Sequence, residues 1–138
     1  MEKIKLPDVW LMGLPELDKQ HQTLFDMAND CIEHLHGERQ MVLQRFQDIF
    51  EYLKFHFEFE ESLMVRMGYT GLTNHKFSHE AAIEKVQDVI SSFDDDVNLR
   101  EDSLQSIVHV IVSDIIVPDL AFKEVVQERL ETGNSATK

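Results

Sequence analysis

This sequence predicts an all-α fold, an antiparallel up-down-up-down four-helix bundle with an N-terminal extended arm, on three observations. Glycine and proline are scarce, 5 and 3 in 138 residues, while Leu, Met, Glu and Gln, which favour helix over strand, are frequent. Apolar residues recur at helical spacing in four stretches, each long enough for a helix. The breaks between the stretches are short, so successive helices are antiparallel neighbours. No repeat or linker is visible, and residues 1–131 read as one domain, with 132–138 as a disordered tail.

Residues 1 to 16 hold Pro7, Gly13 and Pro15 and read as the arm, packed down by Trp10, Leu11, Met12 and Leu14. A first helix spans about Leu17 to Leu35, with Leu17, Leu24, Met27, Ala28, Cys31 and Leu35 at helical spacing. Gly37 then stands where a C-terminal glycine belongs. His21 falls on the Leu17/Leu24/Ala28 face and points inward. His34 and His36, at the helix end, read as surface residues.

The second helix spans Arg39 to Met67, its apolar face formed by Val42, Phe46, Ile49, Leu53, Phe57 and Met64 among others. Phe55, Phe57 and Phe59 alternate as in a strand, but the helical frame on both sides outweighs them. A turn holding Gly68 and Gly71 leads to the third helix, Thr73 to Phe93. After the polar loop Phe93 to Asn98, the last helix starts between Asn98 and Ser103 and continues to about Leu130. Its middle, Ile107 to Val117, is rich in Val and Ile like a strand. A lone strand would leave its backbone hydrogen bonds unmade, so it is read as helix.

Composition removes several function classes. A formal charge of −13 opposes binding to nucleic acid and to an anionic membrane surface. No apolar run approaches the roughly 20 residues of a membrane span. Met1 to Asp8 does not read as a secretory signal, so the expected location is cytoplasmic. One cysteine, Cys31, excludes a disulfide framework and any zinc site built from several thiolates. A metal here would be held by imidazole and carboxylate, which suits iron, manganese or zinc.

The residues with that chemistry are arranged for it. His56 and Glu60 are four apart, as are His75 and His79, and residues four apart share one helix face. Facing helices that each carry such a pair are how bundles build buried di-metal sites. His21 adds a donor from the first helix. Buried without partners, these groups would cost roughly 1 to 3 kcal/mol each, a cost that a shared metal removes.

The segments Gly13-Leu-Pro-Glu-Leu-Asp-Lys-Gln-His21, His56-Phe-Glu-Phe-Glu60-Glu-Ser-Leu-Met64, Met67-Gly-Tyr and His75-Lys-Phe-Ser-His79 resemble the signature of the bacterial hemerythrins. The resemblance covers roughly residues 8 to 130. It implies a non-haem centre of two iron ions (Fe2+/Fe3+) with an oxo or hydroxo bridge, binding O2 reversibly; manganese and zinc are the lesser alternatives. Carried over, His21 and His56 hold an iron with an open position, His75 and His79 supply two of three imidazoles on the other, and Glu60 bridges.

The family's last helix supplies a His and, five residues later, a bridging Asp, and here the sequence departs from the pattern. In one register Asp114 and Asp119 take those places; in the other, His109 and Asp114 do. The first is preferred because it puts Leu104, Ile107, Val110 and Ile111 inward, whereas the second buries Asp102, Gln105 and Ser106. Pro118 should kink the helix beside Asp119. Asp114 is a ligand in both registers.

The resemblance also implies a dry apolar pocket beside the open iron, for which Leu24, Phe25, Phe59 and Ile115 are candidate walls. The expected function is O2 binding as carrier, store or sensor module, with no catalytic residue; the chain could be one domain of a longer signalling protein. The alternatives are a di-metal oxidase or peroxidase-like enzyme, and metal sequestration.

Overall fold

The computed structural model describes residues 1–93 and 97–136, and for 97, 98 and 130–136 the backbone alone. A single 3-10 turn, Asp8–Trp10, interrupts the arm. Then come α1 (Pro15–Glu33), α2 (Arg39–Met67) and α3 (Leu72–Ser91). The last column joins α4 (Val97–His109), a seven-residue π-helical stretch (Val110–Ile116) and α5 (Val117–Ala136). These four columns pack as a bundle, and no strand occurs among the described residues.

The local sequence explains the boundaries of the first two helices. α1 starts two residues earlier than expected because Pro15 sits in its first turn, where a missing N–H costs nothing. The Asp18 carboxylate accepts the amides of Met12 (2.6 Å) and Gly13 (3.2 Å), fixing how the arm enters the helix. α1 ends at Glu33 rather than at Leu35, and His34 to Gly37 form the turn. Gly68 closes α2 with φ +63°, donating to the carbonyls of Met64 and Val65, a left-handed residue that glycine adopts without strain. Gly71 has a different reason: a Cβ there would lie 2.6 Å from Tyr69 Cζ, so the aromatic ring can fold down only over a bare backbone.

The arm is bound rather than loose. Leu6 and Met12 are buried, and Asn29 of α1 makes two 2.8 Å hydrogen bonds with the backbone of Ile4. At the far end of the bundle, Arg100 donates to the carbonyls of Leu35 (3.1 Å) and Gly37 (2.8 Å), satisfying the turn after α1.

The π-helical stretch was not legible in advance. The amide of Val117 donates to the carbonyl of Val112, five residues back, where an α-helix bonds four back. Pro118 supplies the cause: in a regular helix its ring would crowd the carbonyl of Asp114, and it has no N–H to give. The wider turn before it relieves the clash.

The backbone is helical to Ala136, within the stretch read as a tail; residues 137 and 138 lie outside the described residues, as do 94–96 of the polar loop. One further expectation is corrected. Leu99–Arg129 is, by length and composition, apolar enough to cross a membrane. Its Leu104, Ile107, Ile111, Ile115, Phe122 and Val126 are buried in the core.

The core has two parts. A large cluster runs from Leu24, Phe46 and Leu53 to Ala82, Ile107 and Ile115. A small one gathers Met12, Leu17, Met64, Phe122 and Val126. Along α1, α2 and the last column the break between them is polar: His21 between Leu17 and Leu24, His56 and Glu60 between Leu53 and Met64, Asp119 between Ile116 and Phe122. Burying each large apolar side chain contributes about 1.5–3 kcal/mol. That stabilisation is what keeps a polar layer out of water.

Candidate metal centre

Six ionisable side chains fill that layer: His21, His56, Glu60, His75, His79 and Asp119, none more than 7% exposed. They form two groups that share both carboxylates. In the first, His21 Nε2 lies 2.9 Å from Asp119 Oδ2, and His56 Nε2 lies 3.4 Å from Glu60 Oε2 and 3.6 Å from Asp119 Oδ2. In the second, His75 Nε2 lies 2.9 Å from Asp119 Oδ1 and 3.1 Å from Glu60 Oε1, and His79 Nε2 lies 3.2 Å from Glu60 Oε1. Each carboxylate thus turns one oxygen to each pair of imidazoles. The donor atoms of each group lie within 4.8 Å of one another.

Asp114 does not join them, which corrects the expectation that it is a ligand in either register. Its Oδ2 accepts from Lys85 Nζ at 2.8 Å, and its side chain is 25% exposed. His109 is exposed as well, so the register that would use it is not formed. Asp114 faces α3, where Lys85 takes it, while Asp119, after Pro118, faces the layer.

The candidate pocket walls divide. Leu24, Phe25 and Ile115 belong to the large apolar cluster, whereas Phe59 packs against the small one. Sequence reading missed Gln20, which is 1% exposed. His56 Nδ1–H donates to Gln20 Oε1 at 2.7 Å. The signal was present, since Gln20 lies three residues after Leu17 and four before Leu24, on the inward stripe. Two rings also bear on the site: Phe57 stacks on His79 at 4.0 Å, and Tyr69 stands edge-on to His75 at 6.1 Å.

The residues fit a metal pair. His56 donates its Nδ1–H to Gln20, so Nε2 carries the lone pair. Yet that Nε2 faces two carboxylate oxygens, and neither it nor Glu60 Oε2 has a hydrogen-bond partner. Lone pair against anion, away from water, is repulsive unless a cation stands between them. The second group carries a proton instead. Burial acts to lower the His75 pKa, but Asp119 and Glu60 outweigh it and push it up to about 9. Asp119 is opposed by its own burial, and the imidazoles of His21 and His75, which hydrogen-bond to it, still hold it well below the usual carboxylate range. Cys31 takes no part, its thiol raised to about 12 chiefly by burial.

The profile of the hemerythrin HHE cation-binding domain matches residues 12–117, stopping just short of Asp119. Bacteriohemerythrin of Clostridium acetobutylicum is 32% identical over 85 residues, 58% of this chain and 66% of that protein. Those of Stenotrophomonas maltophilia and Pseudomonas aeruginosa are 34% and 32% identical over 80 and 81 residues, 54% and 55% of this chain and half of each relative. The chain therefore spans between half and two thirds of these relatives' lengths. No solved structure matches it. With the family profile covering most of the bundle and a buried layer of imidazole and carboxylate donors at its centre, the chain belongs to the hemerythrin HHE cation-binding domain family.

Proposed function

We propose that the chain is a non-haem di-iron protein that binds O2 reversibly, as a carrier, store or sensor module. The observation that carries the reading is the division of both carboxylates between two imidazole pairs. His21 and His56, with Glu60 Oε2 and Asp119 Oδ2, would hold one ion. His75 and His79, with Glu60 Oε1 and Asp119 Oδ1, would hold the other. When bound, such a pair supplies two electrons that O2 can take up and give back.

The chain's own part is to place and insulate. Gln20 locks the His56 ring so that Nε2 faces the layer, the outer-shell orientation that metal-binding imidazoles need. Phe57 covers one face of His79. Leu24, Phe25 and Ile115, all buried, would keep bulk water from one side of the layer. At neutral pH His75 carries a proton that a cation must displace.

One observation favours an oxidase- or peroxidase-like enzyme as the second reading. The resemblance implies three imidazoles on one iron, and among the described residues only two face that position. Four of the eight donor atoms are carboxylate oxygens, and hard anionic ligands favour the oxidised metal. Metal analysis of protein purified without oxygen, followed by visible spectra through an oxygen–argon cycle, separates the readings. Two irons per chain with bands that come and go support O2 binding. Bleaching with peroxide turnover supports the enzyme, and a colourless, fully zinc-loaded protein refutes both.

A further inference from the structure

One surface groove reaches the buried layer. Between α2 and α3, a groove of about 480 Å³ is lined by Glu58, Glu61, Glu80 and Glu84, with His79 in its wall. His79 is only 4% exposed. Its Nε2 is directed at Glu60 Oε1, which leaves Nδ1 on the opposite edge of the ring, 3.4 Å from Glu61 Oε2. That Nδ1 is buried and makes no hydrogen bond. His56 differs: its outer nitrogen is held by the buried amide of Gln20. Lys54 and Lys76 share the groove, and Lys54 leans to Glu51 at 3.7 Å. Four carboxylates against two ammonium groups leave the rim net negative.

We propose that this groove is the port through which a divalent cation reaches and leaves the His75/His79 position, with Glu61 and the outer edge of His79 as its inner station. The inference rests on the metal reading above. The rim carboxylates concentrate cations at the mouth, as a charged cleft does for any oppositely charged ligand. Glu61 touches solvent on one side and His79 on the other, so it can pass an ion inward. His79, gripped at its outer edge by no hydrogen bond, turns to meet the ion; His56, fixed by Gln20, does not. The ion at His75/His79 is therefore the one that loads and exchanges faster.

The test is stopped-flow uptake of Co2+ by the metal-free protein. A rim variant, E58Q/E80Q/E84Q, is compared with a control, D26N/E124Q/E128Q, which removes the same charge from exposed positions that do not line the groove. The rim variant is expected to load roughly three- to thirty-fold more slowly at about 0.01 M salt, with two ions still bound at the end point. The gap should close at about 1 M salt, where screening acts within a few ångströms. The control should load at the wild-type rate. Equal slowing of both variants, or of neither, overturns the port while leaving the centre intact. A wild type that takes up no Co2+ overturns the metal reading, and the port with it.

Discussion

Replacing Gln20 by leucine isolates one atom's role in the centre. Gln20 is fully enclosed, and its Oε1 accepts His56 Nδ1–H at 2.7 Å. Leucine keeps the volume and removes the acceptor, so a buried N–H is left unpaired at a cost of about 1–3 kcal/mol. The ring is also free to turn Nε2 away from Glu60 and Asp119. Loss of such an outer-shell partner typically lowers metal affinity about 10- to 100-fold, or about 1.4–2.7 kcal/mol, a range that overlaps the unpaired-donor cost. Competition for Co2+ against a chromophoric chelator reads the affinity directly. We expect the site holding His56 to weaken by that factor in Gln20→Leu, with Gln20→Glu retaining or exceeding wild-type affinity because a carboxylate accepts the same proton. An unchanged affinity in Gln20→Leu would show that His56 does not bind through Nε2, and the assignment of the first group would fall.

Four other outcomes follow from the geometry. Asp114→Ala and Lys85→Ala should each leave the number of bound metals unchanged and cost no more than about 1 kcal/mol in urea unfolding, as expected of a partly exposed ion pair; loss of an ion in Asp114→Ala would restore it as a ligand. For metal-free protein the sign with pH is set by two groups. His75, raised from 6.5 to about 9, adds stability that is complete below pH 6.5 and lost as pH rises through about 9. Asp119, held low, adds stability that is present above pH 3.8 and lost in stronger acid, so urea midpoints should be highest between these limits. Calorimetry of metal binding at neutral pH, in buffers of different ionisation heat, should show protons released; a buffer-independent heat would refute a protonated His75. Cys31, its thiol raised to about 12, should resist thiol reagents in native protein at pH 8 and react on unfolding.

Most of the bundle could be read from spacing, because helices that bury one stripe must repeat it. His21, His56, Glu60, His75 and His79 stood on such stripes and meet in the layer. Asp114 takes its place in both registers from the family pattern of a His and an Asp five residues on. The stretch before Pro118 departs from a regular α-helix, so the pattern does not fix which side chains face inward there. Leu104, Ile107, Val110 and Ile111 are buried as the preferred register has them. Lys85 could not be foreseen as the partner of Asp114, since nothing in either helix alone sets how two columns align. Gln20 was legible by position and overlooked because an amide carries no metal chemistry of its own.

A layer of ionisable groups that cuts the core in two also governs how the molecule comes apart. The cap formed by Met12, Leu17, Met64, Phe122 and Val126 is small, and without a cation its junction with the larger cluster is a sheet of imidazoles and carboxylates rather than close-packed hydrocarbon. Such a cap should open as a unit before the rest unfolds. Amide exchange in metal-free protein would then be fast for the ends of α1 and α2 near Leu17 and Met64, and slow around Phe46 and Leu53. Loading the centre should bring the two rates together, so that the ions act as a keystone joining two separately melting halves into one.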